Sequence, residues 1–101
     1  NVCEIENGDY IKIKGVDFGK GAKSFEARVA SETQGGTIEL RLDSPTGTLI
    51  GTCAVSGTGG WQNWETKNCS VDGAAGVHDL YLVFTGDSGP LMNVNWWKFE
   101  K

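Results

Sequence analysis

The sequence has little positive charge and no long apolar run. Nine Lys and Arg residues against thirteen Asp and Glu residues give a formal net charge of −4. Nucleic-acid-binding domains need a basic stripe, and anionic membrane surfaces attract polybasic segments, so neither partner is expected. No apolar stretch approaches the roughly 20 residues of a membrane-spanning helix.

The residue sets that catalysis requires are also lacking. The single histidine is His78, and the adjacent Asp79 points to the opposite face of a strand, which argues against a Ser-His-Asp triad. Gly57-Thr58-Gly59-Gly60 lacks the lysine and the following helix of a phosphate-binding loop. Glu39 and Asp43 share one face of a predicted strand, and such a charge row is typical of a solvated face rather than of a glycosidase cleft. We therefore expect a protein without catalytic activity.

Helical periodicity is absent as well, whereas apolar and polar residues alternate repeatedly with the period of a strand. Glycine makes up 15 of 101 residues and clusters between the alternating segments, as turns require. Short strands at this spacing predict an all-β sandwich in a single domain over residues 1–101. The seven predicted strands cover residues 10–14, 25–29, 38–43, 49–55, 64–71, 77–84 and 91–99.

Three cysteines are present without a CxxC pair, so a metal site built from them is not expected. Cys53 and Cys69 flank the glycine-rich turn and are predicted to face each other across a hairpin as a disulfide, the alternative being two buried thiols. A disulfide would indicate an oxidising compartment. Cys3 is then left as a free thiol or with a partner outside this chain.

Four tryptophans are many for so small a domain. Trp61 directly follows two glycines and so lies in or beside a turn, where an indole is hard to bury. Sugars stack flat C–H faces on such rings, while their hydroxyls need amide or carboxylate partners, so Trp61 indicates a sugar-binding surface. The alternative is a ring folded back over the core. Core packing is expected for Trp64, Trp96 and Trp97, and alternation puts Asn93, Asn95, Trp97 and Phe99 on one face of the last strand.

Seven stretches, in order and at matching intervals, resemble family 6 carbohydrate-binding modules. They are residues 5–10 (Ile-Glu-Asn-Gly-Asp-Tyr), 16–19, 25–31, 42–47, 59–62, 76–84 and 93–99 (Asn-Val-Asn-Trp-Trp-Lys-Phe). The resemblance implies a jelly-roll β-sandwich that is secreted as part of a glycoside hydrolase. It also implies binding of a β-linked plant polysaccharide of the xylan or β-glucan class, which would bring the attached catalytic domain to its substrate.

In the loop cleft of this family, a Trp and a Tyr hold the sugar ring and an Asn bonds its hydroxyls. The resemblance assigns these roles to Trp61 and Asn93, whereas Glu4 stands where the Tyr is usual. A carboxylate can hydrogen-bond a sugar but cannot stack on it. The cleft is therefore expected to be weakened, altered in specificity or unused. The alternative function is a structural or protein-interaction domain that has lost its sugar site.

A second candidate surface is the concave sheet face, where Tyr10 matches an aromatic position of the family. Alternation also directs four charged residues outward on this face, namely Lys12, Glu39, Arg41 and Asp43. The alternative is an inert, solvated face.

Family members normally begin with a further Glu-rich strand that supplies carboxylates to a structural calcium. The sequence starts after that strand, so we expect the module to be N-terminally incomplete. Asn95 stands where the family places an Asp or Asn near the calcium, although a neutral oxygen is a weaker ligand than a carboxylate.

Overall fold

The computed structural model describes residues 2–86 and 89–100, with side chains from Ile5 onward. Strands account for all the regular structure in these ranges, and no helix there is long and apolar enough to cross a membrane. The strands form two antiparallel four-stranded sheets, ordered β1-β8-β3-β6 and β2-β7-β4-β5, so the predicted all-β sandwich is confirmed. The strands are β1 Val2–Glu6, β2 Tyr10–Asp17, β3 Ser24–Ser31, β4 Gly36–Leu42, β5 Thr48–Val55, β6 Gly60–Ser70, β7 Val77–Thr85 and β8 Pro90–Glu100.

The structure adds one strand to the seven that the sequence predicts. This strand, β1, is short and pairs only with β8, with register shifts on either side of Ile5. Its alternation is therefore too brief and irregular to be recognised in the sequence. β6 also begins at Gly60, four residues before the predicted start at Trp64, because the strand extends back into the glycine-rich turn.

The core lies between the two sheets and is built from alternate residues of the strands. Phe25, Ala27 and Val29 of β3 are fully buried, as are Leu80, Leu82 and Phe84 of β7. Because side chains alternate across a strand, the intervening residues point outward. The sandwich thus presents two outer faces whose composition follows strand parity wherever the ladder is regular.

The alternation predicted for β8 is wrong beyond Val94. Opposite β3, Val29 pairs with Val94 and Arg28 pairs with Trp96, so Asn95 is an extra residue that shifts the register. Trp97 and Phe99 consequently pack against the core, but Asn95 is exposed and does not share their face. Trp96 is 40% exposed, so its expected core role is also wrong. Trp64 is only partly buried and is not among the described residues of the core cluster.

The predicted hairpin between Cys53 and Cys69 is wrong. Cys53 lies on β5 and Cys69 on β6, which are the edge strands of different sheets. The two residues therefore face each other across the gap between the sheets and not across a ladder. Both cysteines are free thiols in the structure. A disulfide between them therefore stays a prediction.

Two glycines with positive φ provide a matched test of packing at the turns. A Cβ on Gly35 (φ +80°) would lie 1.9 Å from the Val55 carbonyl oxygen, whereas a Cβ on Gly73 (φ +87°) would meet nothing within 4 Å. Both alanine variants carry the left-handed backbone penalty of about 1–2 kcal/mol, but Gly35→Ala adds a clash with the backbone. We expect Gly35→Ala to lower the free energy of unfolding by at least about 2 kcal/mol more than Gly73→Ala, measured by urea denaturation. Equal losses would contradict the close approach of this turn to β5.

Candidate carbohydrate-binding site

The glycine-rich turn before β6 is fastened to the buried end of β3. Ser31 is fully buried, and its backbone N–H donates to Thr58 Oγ1 at 2.9 Å. The Ser31 carbonyl accepts from the backbone N–H groups of Thr58 at 2.8 Å and Gly59 at 3.1 Å. A Cβ on Gly57 would lie 2.1 Å from the Thr33 carbonyl oxygen, so the turn sits directly on the β3–β4 connection. These contacts fix the backbone immediately before Trp61.

Trp61 is partly exposed and is not among the described members of the core cluster. Val29 pairs with Glu65, but Ser31 pairs with Gly60, so the β6 residues between these partners leave the regular ladder. Trp61 lies at the start of this irregular segment. The indole is therefore available at the surface while its backbone is held on both sides, by the turn and by the resumed ladder.

Asn93 lies beside Trp61, as the resemblance implies. It pairs with Ala30 on β3, is 7% exposed, and its Nδ2 donates to the Trp61 carbonyl at 3.3 Å. Asn93 therefore helps to position the Trp61 backbone. The Glu4 side chain lies outside the described residues, but its strand, β1, runs along the part of β8 that holds Asn93.

Ser31 and Thr58 position this site, and neither is singled out by the sequence patterns above. A signal for Ser31 exists, because it continues the inward parity of Phe25, Ala27 and Val29 and is thus a polar residue at a core position. A buried hydroxyl requires hydrogen-bond partners, and Ser31 Oγ donates to the Leu91 carbonyl. Thr58 gives no comparable signal, since a threonine between glycines is common in turns.

Tyr10 lies on the outer face of the second sheet and is 53% exposed. Its ring centroid is 5.4 Å from that of Tyr81, with an interplanar angle of 55°. Tyr81 pairs with Lys12 and alternates with buried Leu80 and Leu82, so strand parity is a signal that could have placed it on this face. We call this contact the tyrosine pair; Tyr81 is only 8% exposed, so Tyr10 supplies the accessible ring.

Charged residues surround the tyrosine pair. Lys12 Nζ is 5.6 Å from the Tyr81 ring centroid and 3.8 Å from Asp79 Oδ2. A hydrogen bond with Tyr81 is the main cause that raises the pKa of Lys12. Arg41 Nε is 3.1 Å from Glu39 Oε1, and Arg41 Nη1 donates to the Gly47 carbonyl at 2.8 Å. Arg41 and Glu39 thus form an ion pair beside the aromatic rings, and Arg41 itself pairs with Tyr81 across the strands.

Asp43 does not continue the outward row that alternation predicts. It follows the last residue of β4 and has a left-handed φ of 71°. Asp43 Oδ2 is 2.9 Å from His78 Nδ1, and Oδ1 accepts from the Asp79 backbone N–H at 3.3 Å. Its carboxylate therefore binds the start of β7 and does not line the face near Glu39.

Asn95 is exposed on β8. Among the described side chains, those of residues 5–86 and 89–100, no group of three or more His, Cys, Asp or Glu could hold a metal ion. Calcium prefers six to eight oxygen ligands, several of them carboxylates, and Asn95 alone does not meet that requirement. The described residues thus do not by themselves fit a calcium site, and the ion stays a prediction from resemblance.

A partly exposed indole beside an amide, on a β-sandwich that also carries an exposed tyrosine, is the arrangement expected of a sugar-binding domain. The family model described as Carbohydrate binding module (family 6) matches residues 1–101. The chain therefore belongs to this family and is a non-catalytic carbohydrate-binding module.

Solved relatives share the fold closely. A family 6 module from Clostridium cellulolyticum, solved in complex with xylose, is 60% identical with a TM-score of 0.94, over 96% of this chain and 75% of that one. A β-1,3-glucan-binding family 6 module from Bacillus halodurans is 50% identical with a TM-score of 0.93, over 96% and 73% of the two chains. An arabinoxylan arabinofuranohydrolase from Paenibacillus polymyxa is 50% identical over 98% of this chain, which spans only 16% of that protein.

Two asparagines on β8 allow the positioning role of Asn93 to be tested. Asn93→Ala removes the hydrogen bond to the Trp61 carbonyl at a nearly buried position, so we expect a loss of about 1–3 kcal/mol in the free energy of unfolding. Asn95→Ala is the matched control at an exposed position, with an expected change within about 0.5 kcal/mol. Urea denaturation measures both, and a loss for Asn93→Ala no larger than that for Asn95→Ala would contradict the role.

Proposed function

We propose that this module binds a β-linked plant polysaccharide of the xylan or β-glucan class at Trp61 and Asn93. The observation that carries the proposal is the partly exposed Trp61 indole, whose backbone is held by Asn93 and by the turn on Ser31. A pyranose ring stacks its C–H face on the indole. Asn93 and Glu4 then bond the sugar hydroxyls.

Glu4 occupies the position where family members usually have a tyrosine, and this difference lowers the expected affinity for sugar. One aromatic contact contributes about 1 kcal/mol, by analogy with aromatic pairs. Two stacked rings would clamp a sugar, whereas one ring leaves most of the specificity to hydroxyl bonds. We therefore expect weaker binding than a two-ring clamp gives, with several neighbouring sugar units needed for measurable affinity.

The ligands of the solved relatives support the polysaccharide class. The Clostridium module was solved with xylose, and the Bacillus halodurans module is described as binding β-1,3-glucan. These sugars differ in linkage and substituents, but both are β-linked pyranose polymers or their units. A single partly exposed indole suits both, because stacking depends on the flat face of the sugar ring and not on the linkage between sugars.

The tyrosine pair is the second surface of the proposal. Tyr10 is exposed on the sheet that does not carry Trp61, and its ring contacts that of the nearly buried Tyr81. The Glu39–Arg41 ion pair beside it offers bonds to hydroxyls without an unpaired charge that would resist desolvation. An internal stretch of glycan can lie across such an open sheet face, whereas the Trp61 site lies beside a turn.

The substitution Trp61→Ala tests the main site. We expect it to abolish retardation of the protein in native affinity gels that contain soluble xylan or β-glucan, since the stacking platform is lost. Tyr10→Ala is the matched control on the other sheet, and we expect it to weaken retardation by less than Trp61→Ala does.

Thermal melts of both variants separate loss of binding from loss of fold. Retardation that is unchanged by Trp61→Ala but lost in Tyr10→Ala would transfer the function to the tyrosine pair. If a wild-type protein that is folded gives no retardation and no heat with a panel of β-glycans in titration calorimetry, the proposal is wrong. The structural or interaction domain would then be the better explanation.

We further propose that the parent protein is an extracellular glycoside hydrolase that this module brings to its substrate. The relatives that support this include the arabinofuranohydrolase above and an endo-1,4-beta-xylanase A from Thermoclostridium stercorarium, of which the chain spans 16%. Deleting the module from the parent should lower hydrolysis of insoluble polysaccharide several-fold and leave hydrolysis of a small soluble substrate unchanged. Equal loss on both substrates would contradict the targeting role.

A further inference from the structure

Two cysteine side chains meet where the edges of the two sheets come together. Cys53 on β5 pairs with Ile38, and Cys69 on β6 pairs with Phe25, so each backbone belongs to a different sheet. β5 and β6 are the last strands of their sheets. Cys53 is fully buried, and Cys69 is partly buried and packed against the core. Both side chains therefore point inward between the sheets.

The two thiols are close enough to affect each other's titration. Burial raises the pKa of Cys53, and burial followed by the hydrogen bond with Cys53 raises the pKa of Cys69 to about 12. Both residues are therefore neutral thiols at physiological pH. Metal binding does not explain their contact, because no group of three or more His, Cys, Asp or Glu suited to a metal occurs among the described residues.

We propose that Cys53 and Cys69 form a disulfide that joins the two sheets at this edge when the protein folds in an oxidising compartment. The bond forms between the two Sγ atoms as both S–H bonds break. Two electrons and two protons pass to a low-molecular-weight disulfide such as oxidised glutathione, which is converted to two thiols. No other described residue takes part.

The bridge would constrain the segment that carries Trp61. Residues 54–68 connect the two cysteines and include the glycine-rich turn. The hydrogen bonds to Ser31 hold the middle of this segment, and the bridge would close its two ends. Because thiolate is scarce once the pair is buried, the bond forms mainly during folding and is then slow to reduce.

Tryptic mapping tests the proposal directly. Cleavage after Lys12, Arg41, Lys67 and Lys98 places Cys3 on peptide 1–12, Cys53 on peptide 42–67 and Cys69 on peptide 68–98. The full chain is refolded with a glutathione redox buffer, alkylated in denaturant and digested. We expect peptides 42–67 and 68–98 to be joined, to separate on reduction with dithiothreitol, and to leave peptide 1–12 alkylated or linked to glutathione.

Stability gives an independent readout that uses a Cys3→Ser background, so that only two cysteines remain. We expect dithiothreitol to lower the Tm of this protein by about 10 °C, because it opens a closed loop of moderate length. Cys53→Ala and Cys69→Ala in the same background are matched controls, whose Tm should not respond to the reductant. Separate recovery of the two peptides without reductant, a linkage through Cys3, or a Tm unaffected by reductant would each overturn the proposal.

Discussion

The hydrogen bonds of Ser31 are the constraint on which the candidate site depends. Its backbone and hydroxyl connect the end of β3 to Thr58 and Gly59 in one direction and to the Leu91 carbonyl on β8 in the other. Without these partners, each buried polar group of the serine would destabilise the fold by its uncompensated desolvation cost, about 1–3 kcal/mol. Breaking these hydrogen bonds is therefore costly, and they fix the backbone position from which the Trp61 side chain projects.

A fixed backbone matters because each sugar contact is weak. Fixing the backbone of one flexible residue on binding costs about 1–2 kcal/mol, which is as large as the contribution of about 1 kcal/mol from one ring contact. A free loop that carried Trp61 would therefore lose most of what stacking contributes. With the backbone already ordered by Ser31 and Asn93, this backbone cost does not offset the stacking free energy.

Strand parity made much of the structure predictable, and its failures have two physical causes. Period-two alternation correctly places Phe25 inside and Tyr10 outside, because a regular ladder leaves each side chain only two directions. A register shift breaks that rule at Asn95, and no residue pattern around Asn95 indicates the extra residue. The assignment of Cys53 and Cys69 to different sheets is likewise a property of the whole topology, since neighbouring strands along the chain need not pair. The resemblance supplied Asn93 as the neighbour of Trp61, which alternation alone does not.

Trp61 and the two cysteines all lie on the stretch of chain that runs from β5 in one sheet to β6 in the other. This segment leaves one sheet and enters the other, and the regular pairing of β6 with β3 resumes only at Glu65. Its position must come from contacts at its middle and at its ends. Ser31 supplies the middle, and the facing side chains of Cys53 and Cys69 supply the ends. Trp61 directly follows the part of this crossover that Ser31 holds, so its indole is partly exposed while its backbone is fixed next to an anchored turn.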